Sequence, residues 1–207
     1  MSTPQPIEEL DSLPAAGFVE ALAPLFEGAP GLLGRLALDR PYGSWWNLLA
    51  RARVIAEAMP EPEQIELLNA HPRLGAPPES VSPSSFVEQG YDRGGGSAPS
   101  RDDAPDVAAA RPAWGSAGSA GAAPVGAAPV QAAEPPEGDT TRARLDRLNA
   151  AYEDWFGFRY CVFVAGRPLE ALVPELEAAL LRPRDQELRR GVDAVVDIAI
   201  ARSGAAR

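Results

Sequence analysis

The chain contains no lysine; its 19 basic residues are all arginines. It has one histidine, His71, and one cysteine, Cys161, in 207 residues. Without a lysine amine, Schiff-base catalysis and lysine-bound pyridoxal phosphate are excluded. A single cysteine forms neither an internal disulfide nor a thiolate cage for a metal, which fits a reducing compartment. With one imidazole, any histidine chemistry near neutral pH falls to His71. Surplus positive charge is lacking as well. The formal net charge is -10, which argues against binding a nucleic-acid backbone or an anionic membrane surface. No apolar run approaches the roughly 20 residues that span a bilayer. Residues Met1 to Leu10 lack the basic start and apolar run of a signal peptide, and Gly204-Ala205-Ala206-Arg207 does not end in a peroxisomal tripeptide. The expected location is cytoplasmic.

What the chain does have is a core-forming share of apolar residues, 45%, at a length that suits one substantial domain or two small ones. Two helical blocks flank a Gly-, Ala- and Pro-rich stretch at 90–139. That stretch has few large apolar residues with which to offset its ordering entropy, so it is expected to be a disordered insertion. Residues 1–14 are expected as a flexible N-terminus. Residues 15–89 and 140–203 are expected to form together one all-α helical bundle.

In the first block Phe18, Leu22, Leu25 and Phe26 recur at helical spacing, followed after a Gly/Pro break by Leu32, Leu33 and Leu36. Ser44 is placed to cap a helix carrying Trp45, Leu48, Leu49, Ala52 and Ile55. Pro60 and Pro62 open another helix, which must stop at His71 because Pro72 follows. A short helix begins within Ser82 to Ser85. In the second block Leu145, Leu148, Tyr152 and Trp155 are helical. Phe158 to Val164 reads as a short strand or an extended buried segment. Leu169 to Leu180 carries an apolar stripe, and a last helix follows Pro183 and ends near Arg202.

Two readings of His71 stand side by side. At a helix C-terminus it complements the helix dipole. Within His71-Pro72-Arg73-Leu74-Gly75 it is an imidazole held on a rigid corner, suited to acid–base work by a pKa near 6.5. Glu88 also has two readings, of which its spacing taken alone favours the helix cap. Ser85 and Glu88 have the spacing of a helix capping box, whereas a functional reading makes Glu88 a carboxylate that orients His71 or moves a proton itself. Arg202 and Arg167 suit a carboxylate ligand through the planar guanidinium fork, or suit a helix end and a loop. The pairs Trp45-Trp46 and Trp155-Phe156 read as core and flank, and Cys161 as an inert buried thiol.

Taken in order, His71-Pro72-Arg73-Leu74-Gly75, Ser85-x-x-Glu88-Gln89, Leu148-Asn149-x-x-Tyr152, Phe156-Gly157-Phe158 and Ile198-x-x-x-Arg202 resemble one family. It is the OHCU decarboxylases, which act on 2-oxo-4-hydroxy-4-carboxy-5-ureidoimidazoline in urate breakdown. The resemblance runs from about Phe18 to Arg202 and skips the insertion. It implies an all-α, homodimeric protein without a cofactor that converts OHCU to (S)-allantoin. It places catalytic roles on His71, Glu88 and Arg202. Substrate contacts fall on Pro72, Ser85, Phe86, Val87 and Gln89, and on Tyr160, Cys161, Val162, Phe163 and Val164, the latter run chiefly through its backbone. Arg159-Tyr160 departs from the proline and phenylalanine of many members.

The residue inventory agrees with such a reaction. A decarboxylation without lysine or cofactor needs an electron sink inside the substrate, and OHCU has a ring C=N beside the carbon that loses carbon dioxide. Two other functions share these features: a non-catalytic helical interaction module of the same fold, and a decarboxylase or hydrolase of a related ureido or imidazoline acid.

Overall fold

The computed structural model describes residues 5–93 and 140–204. Among them are nine α-helices and no strand, the all-α class expected. The 90–139 insertion lies, from residue 94 on, outside the described residues. Its first residues are ordered: Tyr91 packs on Phe86, with ring centroids 5.5 Å apart, and its hydroxyl donates to Ala76 O at 2.7 Å.

The helices are α1 (Ile7–Ser12), α2 (Ala15–Leu22), α3 (Pro30–Leu38), α4 (Trp45–Ala58), α5 (Glu61–Ala70), α6 (Pro83–Glu88), α7 (Thr141–Phe156), α8 (Leu169–Ala179) and α9 (Arg184–Ser203). Their ends follow local chemistry. Ser44 caps α4 by accepting from the Asn47 amide, and Thr140 caps α7 through the Ala143 amide. Helix α5 starts after Pro60 with acidic residues in its first turn and stops at His71, whose ψ of 145° is extended as the following proline demands. Gly157 ends α7 in the left-handed conformation, with φ 79°, a region open to glycine because it has no Cβ.

Residues 1–14 were expected to be flexible, but α1 occupies part of them. Ile7 and Leu10 are buried, the Asp11 carboxylate accepts from the Tyr42 and Gly43 amides, and the Trp45 indole donates to Gln5 O. Two apolar anchors and a latched carboxylate make this segment part of the core. The capping box expected of Ser85 and Glu88 is also absent. Pro83 occupies the first turn of α6, so Ser82 is the cap and accepts from the Ser85 amide at 3.1 Å. Ser85 and Glu88 therefore keep their side chains for other partners.

Helix α9 organises the molecule. It packs on α4 and α5, α3 packs on α2, α4 and α5, and α7 pairs with α8. One buried cluster includes residues of both sequence blocks, among them Phe18, Leu36, Leu67, Tyr152, Leu176 and Val195. Gly191 allows α9 to approach α5, since a Cβ there would lie 3.1 Å from Leu68 Cδ2. Residues Phe158 to Val164 form an extended buried segment rather than a strand. With no neighbouring strand to pair with, its backbone is tied down by side chains. Asn69 Oδ1 accepts from the Arg159 amide, Arg190 donates to Cys161 O, and Arg167 donates to Phe163 O and Val164 O. Phe156 is buried, whereas Trp46 and Trp155 are exposed. Among the described residues no helix is long and apolar enough to cross a membrane.

Candidate active site

The His71–Ala76 turn forms one wall of a cleft, and several independent contacts fix it. Arg159 donates to His71 O, Asn149 Nδ2 to Leu74 O, and the Gly75 amide to Gln89 Oε1, while Arg73 pairs with Glu153. Gly75 has φ 77°, and a Cβ added there would meet Leu145 Cδ1 at 3.0 Å. Glycine is thus required by conformation and by space.

The cleft is lined by His71, Pro72, Leu74, Ser85, Glu88, Gln89, Tyr160, Cys161, Val162, Val164, Ile198 and Arg202. It brings together the three residues expected to be catalytic, His71, Glu88 and Arg202. Of those expected to contact substrate, Pro72, Ser85, Gln89, Tyr160, Cys161, Val162 and Val164 line it. Phe86, Val87 and Phe163 do not: Phe86 packs on Tyr91, Val87 is largely exposed, and the Phe163 carbonyl is turned to Arg167. On α6 the helical period explains this, because Ser85, Glu88 and Gln89 share a face that Phe86 and Val87 do not. Leu74 and Ile198, motif residues of which no contact role was expected, also line the cleft; Ile198 lies one helical turn before Arg202 on the same face.

His71 is buried, and its Nδ1 lies 3.1 Å from Leu67 O. A carbonyl oxygen only accepts, so Nδ1 carries the hydrogen and neutral His71 is the Nδ1–H tautomer. Nε2 is then a buried lone-pair nitrogen, and no hydrogen-bond partner satisfies it. Burial is the main cause that pushes the His71 pKa down to about 4; the Arg202 cation adds to it, and the Leu67 bond and Glu27 oppose it. At neutral pH the imidazole is therefore an uncharged acceptor.

Arg202 is held from several sides. Its Nη2 contacts Glu88 Oε2 at 3.0 Å, Ser85 Oγ at 2.8 Å and Glu27 Oε1 at 2.8 Å. Its Nη1 donates to Pro24 O and Leu25 O. Only 8% of its side chain is exposed; the protein occupies both Nη groups, whereas Nε is buried without a partner. The two carboxylates differ. Burial raises the Glu88 pKa, with Arg202 only partly opposing it. Burial also works against ionisation of Glu27, but hydrogen bonds from Ser85 and Ser82 together with the Arg202 cation hold its pKa below the ordinary carboxylate value. Sequence reasoning missed Glu27 because it sits in the turn after α2, where a single glutamate looks like a solvated loop residue.

The remaining polar groups have quieter roles. Cys161 is fully enclosed, and burial pushes its thiol up to about 12, so it is not a thiolate. Burial likewise pushes Tyr160 up to about 12, and its ring faces the Arg190 guanidinium at 4.5 Å. Arg167 serves the backbone of the extended segment and pairs with Glu175.

These features define an all-helical domain with one acid–base cleft built across its two sequence blocks. The OHCU decarboxylase family model matches residues 11–110 and 105–203, and the chain belongs to that family. A uric acid degradation bifunctional protein of Bacillus sp. (strain TB-90) is 20% identical over 196 residues, covering 95% of this chain and 31% of that protein. A crystal structure of (S)-allantoin synthase superposes with a TM-score of 0.58 at 17% identity, covering 98% of this chain and 53% of that one. The latter likeness shows the fold. The chain spans about a third and about half of these two relatives.

Proposed function

We propose that this chain is a cofactor-independent carboxy-lyase that converts OHCU to (S)-allantoin. The observation that carries the reading is His71: a buried neutral imidazole, tautomerically fixed, in a cleft that also holds Glu88 and Arg202. Membership of the family supports the substrate class.

In this mechanism the substrate carboxylate leaves as carbon dioxide, and the electron pair of the broken C–C bond passes into the adjacent ring C=N. His71 Nε2 accepts a hydrogen bond from the substrate hydroxyl, takes its proton as that oxygen becomes a carbonyl, and returns it to the ring nitrogen that took up the electron pair. One proton must be added to the ring carbon, and delivery from one wall of the cleft gives a single enantiomer. Glu88 suits that task because burial favours its protonated form at a pH where an exposed glutamate is ionised. Tyr160 to Val164 supply a rigid wall that presents backbone to the substrate. Homodimer formation and a cytoplasmic location belong to the same proposal.

The test generates OHCU in place from urate with urate oxidase and hydroxyisourate hydrolase. Circular dichroism at the allantoin bands follows the product. Added protein is expected to accelerate the appearance of (S)-allantoin over the spontaneous racemic background. An unchanged rate and a racemic product refute the proposal and favour the interaction-module reading.

A further inference from the structure

We infer that Glu27 is a positioning residue of this site: its carboxylate is the standing counter-ion of Arg202, and by compensating that charge it leaves Glu88 as the carboxylate free to exchange a proton with substrate. The inference rests on the reading of the cleft as the decarboxylation site.

The first support is geometric. Glu27 Oε1 accepts from Ser82 Oγ at 2.8 Å and Ser85 Oγ at 2.7 Å, and lies 2.8 Å from Arg202 Nη2. Two hydroxyls, that of Ser85 on α6 and that of its cap Ser82, donate to one oxygen, and the Arg202 cation stands beside it as an ion pair. Such a carboxylate is strongly committed to its ionised form. Glu88 has fewer partners, Arg202 Nη2 at 3.0 Å and the Val164 amide.

The second support is the backbone. Glu27 has φ 51°, a left-handed conformation that a residue with a Cβ adopts only at a cost. Gly28 beside it has φ 75°. Strain of this kind persists where the surroundings hold it in place. Here the same turn offers Arg202 a carboxylate from Glu27 and the carbonyls of Pro24 and Leu25. Main chain and side chain of one strained turn thus form a socket for one guanidinium.

The third support is the pairing. Two carboxylates beside one guanidinium cannot both be fully compensated, and the environment separates them. The groups facing Glu27 are Ser82 and Ser85 of α6, Arg202 of α9 and His71 at the end of α5; those facing Glu88 are Arg202, Glu27 and the Val164 amide. Removing the Glu27 charge leaves Arg202 to Glu88 alone, which makes Glu88 a poorer proton donor and His71 a weaker base.

The experiment compares wild type, Glu27→Gln and Glu27→Asp. For Glu27→Gln, kcat is expected to fall at least about tenfold, and both limbs of the kcat–pH profile are expected to move to lower pH by about half a unit or more. Glu27→Asp restores the charge and is expected to bring the limbs back towards wild type. A wild-type profile in Glu27→Gln overturns the inference, and so does a lower rate with unmoved limbs, which is the signature of a structural prop. Failure of the wild-type protein to turn over OHCU sinks the functional reading instead. Glu27 is then judged without activity. The sole imidazole gives an unambiguous NMR titration, and the His71 midpoint is expected to fall in Glu27→Gln; an unchanged midpoint refutes the positioning role. Should Glu27→Gln not fold, Ser82→Ala replaces it, since loss of one hydroxyl from Glu27 is expected to move the same limbs by a smaller amount, and unmoved limbs count against the inference.

Discussion

The two ends of α9 carry opposite versions of one device. Near its N-terminus Glu187 lies between two arginines, 2.8 Å from Arg182 Nη1 and 2.8 Å from Arg190 Nε, and accepts from the Tyr152 hydroxyl. Near its C-terminus Arg202 lies between two glutamates, Glu27 and Glu88. Both arrangements place their central charge where the helix dipole favours it. They differ in which sign is in surplus. An arginine keeps its proton at every pH a protein meets, so the Arg–Glu–Arg end has nothing to exchange. A surplus carboxylate can take up a proton. The Glu–Arg–Glu end, which opens on the cleft, is therefore the one fitted for chemistry, while the sealed end holds helices and the extended segment together.

Substitutions can break this contrast. The largest expected effect is at the cleft: His71→Ala lowers kcat by about 10²–10⁴-fold, measured by the coupled allantoin assay, with little change in the yield of folded protein. Near-normal turnover in that variant sinks the assignment. Next comes the sealed end. Glu187 has no exposed side-chain surface, and Glu187→Ala leaves the buried Tyr152 hydroxyl and the partly buried Arg190 without their acceptor, so stability is expected to fall by about 3 kcal/mol, read from urea unfolding. Its mirror image, Glu88→Gln, is expected to abolish most activity and to shift unfolding by less than about 1 kcal/mol. A large stability loss at Glu88, or a small one at Glu187, removes the distinction between the two ends.

Acidification sharpens it further. His71 is neutral in the fold, with a pKa near 4, whereas in the unfolded chain it takes a proton near its ordinary value of about 6.5. Between those values the unfolded state binds the extra proton, so stability falls as pH drops through about 6.5 towards 4. His71→Gln is expected to flatten that slope between about pH 6.5 and 5, before most carboxylates titrate. Parallel slopes in the two proteins contradict a buried neutral imidazole. The smallest effect belongs to Ser82→Ala, which removes a helix cap and one bond to Glu27, at a cost of about 1 kcal/mol.

Much of the fold was legible because punctuation and period agree in this chain. Ser44, Pro60 and Pro72 mark helix ends that the structure shares, and the Leu169–Leu180 stripe is α8 with its apolar face inward. Helix α1 was not legible, since a six-residue helix has too short a period to detect and its place depends on Asp11 and Trp45 finding distant partners. The Ser85–Glu88 spacing misled for a local reason. Pro83 moves the cap to Ser82, which then frees both side chains for Arg202. Glu27 was hidden by distance: nothing in its own neighbourhood reports an arginine 175 positions further on. The cleft is a three-dimensional meeting of the corner after α5, α6, the Tyr160–Val164 segment and α9, and sequence order records only its members.

The bond from His71 Nδ1 to Leu67 O also sets the direction of proton traffic. A histidine whose second nitrogen faces water or a carboxylate can act as a relay, loading on one side and unloading on the other. Here the second nitrogen faces a backbone carbonyl one helical turn earlier, and a carbonyl takes no proton. The imidazole is therefore a terminus. Any hydrogen it picks up at Nε2 must leave through Nε2, back into the same cleft, so the histidine returns what it borrows rather than exchanging it with the solvent behind the helix.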